Sequence, residues 1–198
     1  MSPPSAKLYF YMAAVDISGF VTEIKDHAME HGFHVHDERH FIETYSMRQA
    51  WEIDLHPEDA CGEPLDFHLN LDVEPRILLA FEDEAALLGD DDVPEDTYHM
   101  LLSMTWDLPP VDKDTDLLRL AIELSAIGGM GLPLEVGTLE TTASPTDSPV
   151  RKVTVVGRSS LSLAKIYAGE DTICPIIEKC LQISRFLLAK TVKWTGEL

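Results

Sequence analysis

Positive charge is scarce in this chain. Its 198 residues carry 15 Lys and Arg against 35 Asp and Glu, for a net charge of −20. Phosphate contacts need local positive charge, so this balance argues against nucleic acid as the main ligand. The scarcity is uneven. Residues 151–198 hold 8 basic against 4 acidic residues, whereas residues 1–150 hold 7 against 31. Two readings follow: a solvated acidic surface, or a basic C-terminal face that meets an acidic partner or a nucleotide. Cysteine is sparse as well. Cys61, Cys174 and Cys180 show no framework spacing, which predicts reduced thiols and a cytoplasmic setting. No apolar run approaches the roughly 18–20 residues that a bilayer span needs, so no membrane partner is expected. The longest early run, "LYFYMAAV", leads to Asp16 without a small-residue cleavage pattern, so no signal peptide is expected. Several signatures are missing too. "GRSSLS" lacks the second glycine of a nucleophile elbow, "GGMG" is not followed by Lys-Ser or Lys-Thr, and "GDDDVPED" lacks calcium-loop spacing.

What is present suits one globular domain, with 45% hydrophobic and 25% charged residues. Residues 1–7, opening "MSPPSA", predict a disordered leader, and residues 8–198 a single α+β domain. Residues 8–16 read as a buried strand and 19–31 as a helix, with Phe20, Ile24 and Ala28 on one face. Residues 32–44 read as a polar loop with a helical turn. "MRQAWEIDLHP" alternates Trp51, Ile53 and Leu55 with polar residues, which predicts a half-buried strand. "DFHLNLDVEPRILLAFED" reads as a hairpin turning at "DVEP", with Ile77 to Phe81 as its second arm. "PEDTYHMLLSMTW" reads as a helix, and "LLRLAIELSAIGG" fits either a helix or a strand. "LPLEVGTLETT" and "VRKVTVVG" read as strands, the second ending at Gly157, and "SLSLAKIYAGE" either extends it or starts a helix. A helix over about 172–190 has Thr172 as cap, Pro175 in its first turn, and a stripe of Ile176, Ile177, Cys180, Leu181, Ser184, Leu187 and Leu188. The order of elements predicts a mixed or antiparallel sheet covered by helices.

The stretch "AVDISGF" places a carboxylate, Asp16, between an apolar run and a helix. An aspartate there can cap the helix, or it can hold a metal. The motif resembles the start of class III nucleotidyl cyclases, in which a strand ends in Asp-Ile-x-Gly-Phe and the aspartate binds catalytic metal ions. The resemblance implies a cyclase-like core of ferredoxin type, Mg²⁺ or Mn²⁺ as cofactor, a nucleotide ligand, and a homodimer or other protein partner. Two metals held by two carboxylates stabilise charge on the attacking and leaving oxygens of nucleotidyl transfer. Gly19 and Phe20 would lie against the nucleotide. The family's second aspartate follows a glycine in a hairpin, where this chain has Glu74 and Pro75. Asp72 or Glu74 would then complete the metal set with Asp16. "VTVVGRSSLSLAKIYAGEDTI" is similar in outline to the later valine–glycine strand and helix, with Leu161 near the expected asparagine and Lys165 near the expected arginine. Arg158 or Lys165 would supply charge to phosphate. These departures imply a degenerate, binding or regulatory relative first, and an active cyclase-type enzyme second.

Five histidines, His27, His31, His34, His36 and His40, crowd a fourteen-residue stretch. Helical spacing pairs His27 with His31, and His36 with His40, and Asp37 or Glu38 would complete a zinc set. A solvated polar segment that titrates near neutrality is the alternative. Cys61 lies in the turn "DACGEP", with His56 and His68 near in sequence, as a histidine-activated thiolate would require.

Overall fold

The computed structural model describes residues 14–88, 92–111, 114–142, 144 and 149–195, with side chains to Thr191. The expected leader and most of the expected first strand lie outside these residues. Residues 14–16 form a bend ahead of helix α1 (Ile17–Glu30). Ile17, Phe20, Val21, Ile24 and Ala28 are its buried residues, a stripe at three- and four-residue spacing that faces the core.

Strand β1 (Phe33–Ile42) occupies the segment expected to be a loop. It lies at the sheet edge with only Phe33 buried, so its composition stays polar while its backbone pairs with the next strand. Strand β2 (Gln49–Pro57) buries Trp51, Ile53 and Leu55, as their alternation predicts. A short 3₁₀ turn (Glu58–Ala60) leads through Cys61 and Gly62 to strand β3 (Asp66–Val73).

The expected hairpin does not form. Pro75 opens helix α2 (Pro75–Ala85) instead, with Phe81 fully buried and Leu79 exposed. Proline at the first helical position loses no hydrogen bond and has its φ already set, and the residues after it are good helix formers. The converse correction applies to strand β4 (His99–Asp107), in the segment expected to be helical. Met100, Leu102, Met104 and Trp106 are buried at period two, which overrides the helix preference of Leu and Met.

Helix α3 (Leu117–Gly128) settles the ambiguous segment, with Asp116 accepting from the Arg119 amide and Leu120, Leu124 and Gly128 buried at four-residue steps. Strand β5 (Leu134–Thr141) pairs with strand β6 (Val150–Ser162), which runs past Gly157 before helix α4 (Leu163–Tyr167) begins. A Cβ at Gly157 would sit 3.0 Å from Leu134 and 3.1 Å from Leu132, so close packing requires glycine there. Helix α5 (Cys174–Thr195) buries Ile177, Cys180, Ile183, Ser184 and Leu187. Asp171, rather than Thr172, accepts from the amides that open it.

Among the described residues, six strands form one antiparallel sheet in the order β1-β2-β3-β4-β6-β5. The fold is thus α+β, with one contiguous apolar core between the sheet and its helices. Helix α5 touches α1, α3 and β2, and Trp106 Nε1 donates to Ser184 Oγ at 2.8 Å inside that core. The other face of the sheet is polar, carrying Glu52, Asp54, His68, Asn70, Ser103 and Thr105. No helix among the described residues is long and apolar enough to cross a membrane.

Candidate functional site

Asp16 acts as the N-cap of α1, its Oδ1 accepting from the Gly19 amide at 3.0 Å. The same geometry accounts for the glycine three residues on. A Cβ at position 19 would lie 2.6 Å from Asp16 Oδ2, so a side chain there would displace the capping carboxylate. Asp16, Gly19 and Phe20 line a cavity of about 370 Å³ with Glu23, His27 and Tyr167. The other residues of the expected cyclase-type site stand elsewhere. Asp72 forms a two-point ion pair with Arg48, one bond of it 2.7 Å from Nε to Oδ1. Glu74 stands at the N-cap position of α2 and makes no side-chain capping bond, although its carbonyl accepts from Ile77 and Leu78. Arg158 pairs with Glu135 across β6 and β5 at 3.0 Å. Lys165 lies on α4, its backbone amide donating to Ser162 Oγ. None of Asp72, Glu74, Arg158 and Lys165 lines the cavity beside Asp16.

A second arrangement is tighter. His34 and His56 are register partners across β1 and β2. The register then slips between Val35 and Asp37, a β-bulge at His36. The bulge places His36 against His56, with ring centroids 3.9 Å apart and Nε2 to Nε2 3.1 Å. The His34 ring lies 5.1 Å from His36 and 5.2 Å from His56. One nitrogen from each of the three rings fits within a 4.8 Å set. Cys61, from the turn after β2, brings its Sγ to 2.7 Å from His56 Nε2 and 3.8 Å from His34 Nδ1. At zinc–nitrogen bonds of about 2.0–2.1 Å, tetrahedral ligands stand roughly 3.3 Å apart. The observed separations bracket that spacing.

The electrostatics fit the same chemistry. His56 is buried, and burial first, then the His36 and His34 rings, hold its pKa below the ordinary histidine value. It is therefore neutral at neutral pH, the form that ligates. Its Nδ1 is buried without a hydrogen-bond partner among the described residues, so the ring's polar contacts run through Nε2. On the adjoining part of the sheet, Arg39 makes a two-point pair with Asp54 at 2.7 and 2.8 Å, and His68 Nδ1 meets Asp54 Oδ1 at 2.7 Å. Arg39 first, and then His68, keep the Asp54 carboxyl below its usual range against the opposing effect of burial. His36, His56, Asp54 and His68 line one cleft of about 300 Å³.

Of the five clustered histidines, only His34 and His36 enter this centre. His40 instead stacks on Trp51 at 4.0 Å and contacts Gln49 at 3.0 Å. The helical pairing of His36 with His40 fails because the segment is a strand. His56 completes the centre from β2, and the sequence signal for it is the His-x-His alternation at 34 and 36, legible only once β1 is read at period two. The proximity of Cys61 to His56 in sequence does become a contact. No protein family, curated protein or solved structure matches the chain.

Proposed function

We propose that the chain is a binding module whose ligand is a divalent transition metal of the zinc class, held by His34, His36 and His56 with Cys61 as the fourth donor. The observation that carries this reading is the convergence of three imidazole nitrogens within 4.8 Å from two strands, beside a free thiol. Imidazole and thiolate donors suit zinc and its neighbours, not magnesium or calcium. A surface of net charge −20 raises the local concentration of cations. Three free cysteines support a reducing, cytoplasmic setting for such a site. The test is Zn²⁺ titration of the apoprotein against a chromophoric chelator. Wild type should take zinc at this centre. His56→Gln should weaken binding by more than the roughly 10- to 100-fold that loss of an outer-shell partner costs. Unchanged affinity in His56→Gln together with His34→Gln overturns the reading.

A second reading keeps the cyclase-like resemblance: a degenerate relative that takes a nucleotide with Mg²⁺ or Mn²⁺, alone, as a homodimer, or with another protein partner. The cavity lined by Asp16, Gly19 and Phe20 favours it. The active-enzyme form would need Asp72 to leave Arg48 and join Asp16 or Glu74. Calorimetric titration of Mg²⁺ with a nucleoside triphosphate into wild type and Asp16→Asn tests it. Metal-dependent heat that vanishes in the variant supports a ligand role. No heat in either leaves Asp16 as a cap.

A further inference from the structure

We infer that His27, Asp171 and Cys174, with Glu30 at the rim, form a second transition-metal site that joins α1 to the start of α5. None of these residues belongs to the strand centre described above. His27 Nδ1 lies 3.0 Å from Cys174 Sγ, and one ligand atom from each of His27, Asp171 and Cys174 fits within a 4.8 Å set. Glu30 Oε2 stands 3.7 Å from the same His27 nitrogen. The four groups are two i,i+3 pairs. His27 and Glu30 share a face of α1, one turn apart. Asp171 and Cys174 are fixed by the bonds that open α5, Asp171 Oδ1 accepting from the Ile173 amide at 3.1 Å and the Cys174 amide at 3.0 Å. The Asp171 carboxylate is thereby held in place, and it also accepts from the Cys174 thiol, whose proton a cation would displace.

The donors are one nitrogen, one sulfur and two carboxylates. This mixture selects a borderline-soft ion such as Zn²⁺ or Co²⁺ over a hard one. An arriving dication is attracted by the Asp171 and Glu30 carboxylates and displaces the Cys174 thiol proton to solvent. Binding is then the exchange of one S–H bond for one S–metal bond with release of one proton. His27 and Asp171 also line the 370 Å³ cavity that Asp16 faces, so the ion is reachable from solvent on that side. The ion would tie the first helix to the last across the loop at 168–173.

Co²⁺ and Zn²⁺ titration of the full chain tests this, read by chelator competition and by the near-ultraviolet thiolate-to-cobalt charge-transfer band. Wild type should take two equivalents. His27→Gln and Cys174→Ser should each lose one, with affinity at this site down at least ~100-fold, and Cys174→Ser should lose part of the charge-transfer band. His56→Gln and Cys61→Ser should keep this site and lose the other. If the strand centre fails instead, wild type takes one equivalent and His27→Gln abolishes it. That result sustains the second site alone. Should Cys174→Ser fold poorly, His27→Gln carries the test, with circular dichroism as the folding control. Wild-type stoichiometry in His27→Gln, or a single equivalent lost only in His56→Gln, or no metal uptake at all, overturns the inference.

Discussion

Trp51, Ile53 and Leu55 point from β2 into the core, while Glu52, Asp54 and His56 alternate with them onto the other side of the sheet. The same six residues thus serve two purposes one residue out of phase. On the packed side, β3 and β4 continue the apolar pattern with Leu69, Leu71, Leu102 and Met104, all fully buried. On the other side, Asp54 meets Arg39 and His68, and His56 meets His34, His36 and Cys61. Stability is concentrated on one side and candidate chemistry on the other. A substitution should therefore affect one property without the other, according to the parity of its position.

The largest expected effect comes from the packed side. Leu69→Ala removes a fully buried side chain from a central strand and should cost 2–5 kcal/mol, about the usual range for such cavities, in denaturant unfolding. Metal affinity of the folded protein should not change. The converse variant is His56→Gln. Without metal it should unfold close to wild type. With free Zn²⁺ at about 100 times the dissociation constant of the strand centre, occupancy of that centre should add about 2.7 kcal/mol, or roughly 5–10 °C in thermal midpoint, and His56→Gln should lose most of this share. If His56→Gln without metal costs as much as Leu69→Ala, the histidines are core residues and the division between the two faces fails.

The sequence carries the packed side more openly than the chemical one. Alternation in "AWEIDL" and four-residue spacing in "FVTEIKDHA" are core patterns, and both elements form where those patterns lie. Two errors share one cause, since a run such as "ILLAF" or "HMLLSMTW" does not state its period until its neighbours are placed. Pro75 decided the first for helix, and strict burial of even-numbered residues decided the second for strand. The histidine centre was half legible. His34 and His36 stood out by composition, but their partner His56 is twenty residues from His36, and the contact depends on a bulge that no residue type announces. Asp16 was legible as a position and open as a role, and the structure supplies the hydrogen bond that makes it a cap.

A smaller effect separates the two roles of Asp16. Asp16→Ala removes the acceptor for the Gly19 amide and should cost about 1 kcal/mol, whereas Asn caps about as well as Asp, so Asp16→Asn should be near neutral. Gly19→Ala should come out near neutral, because its new methyl group, 2.6 Å from the carboxylate, displaces the cap, and that loss offsets the gain of about 1 kcal/mol that alanine brings to a helix. A marked loss of stability in Asp16→Asn would mean that the charge, not the cap, matters at this corner.

The smallest effect sharpens the polar side itself. Asp54 holds a carboxyl pKa below the ordinary value because Arg39, and then His68, stabilise its ionised form. A carboxyl with a depressed folded pKa contributes stability that is complete above its unfolded value of about 3.9 and is lost as pH falls through the folded value. Wild type should therefore lose this contribution only below about pH 4, and Asp54→Asn should lack it at every pH. The difference at neutral pH should be no more than about 1 kcal/mol, since the pair stands at a partly exposed sheet surface where solvent screens it. Parallel denaturation curves at pH 7 and pH 3 read it directly, the gap between wild type and Asp54→Asn closing at the lower pH. A gap that persists there would assign the effect of Asp54 to packing around His68 and not to its charge.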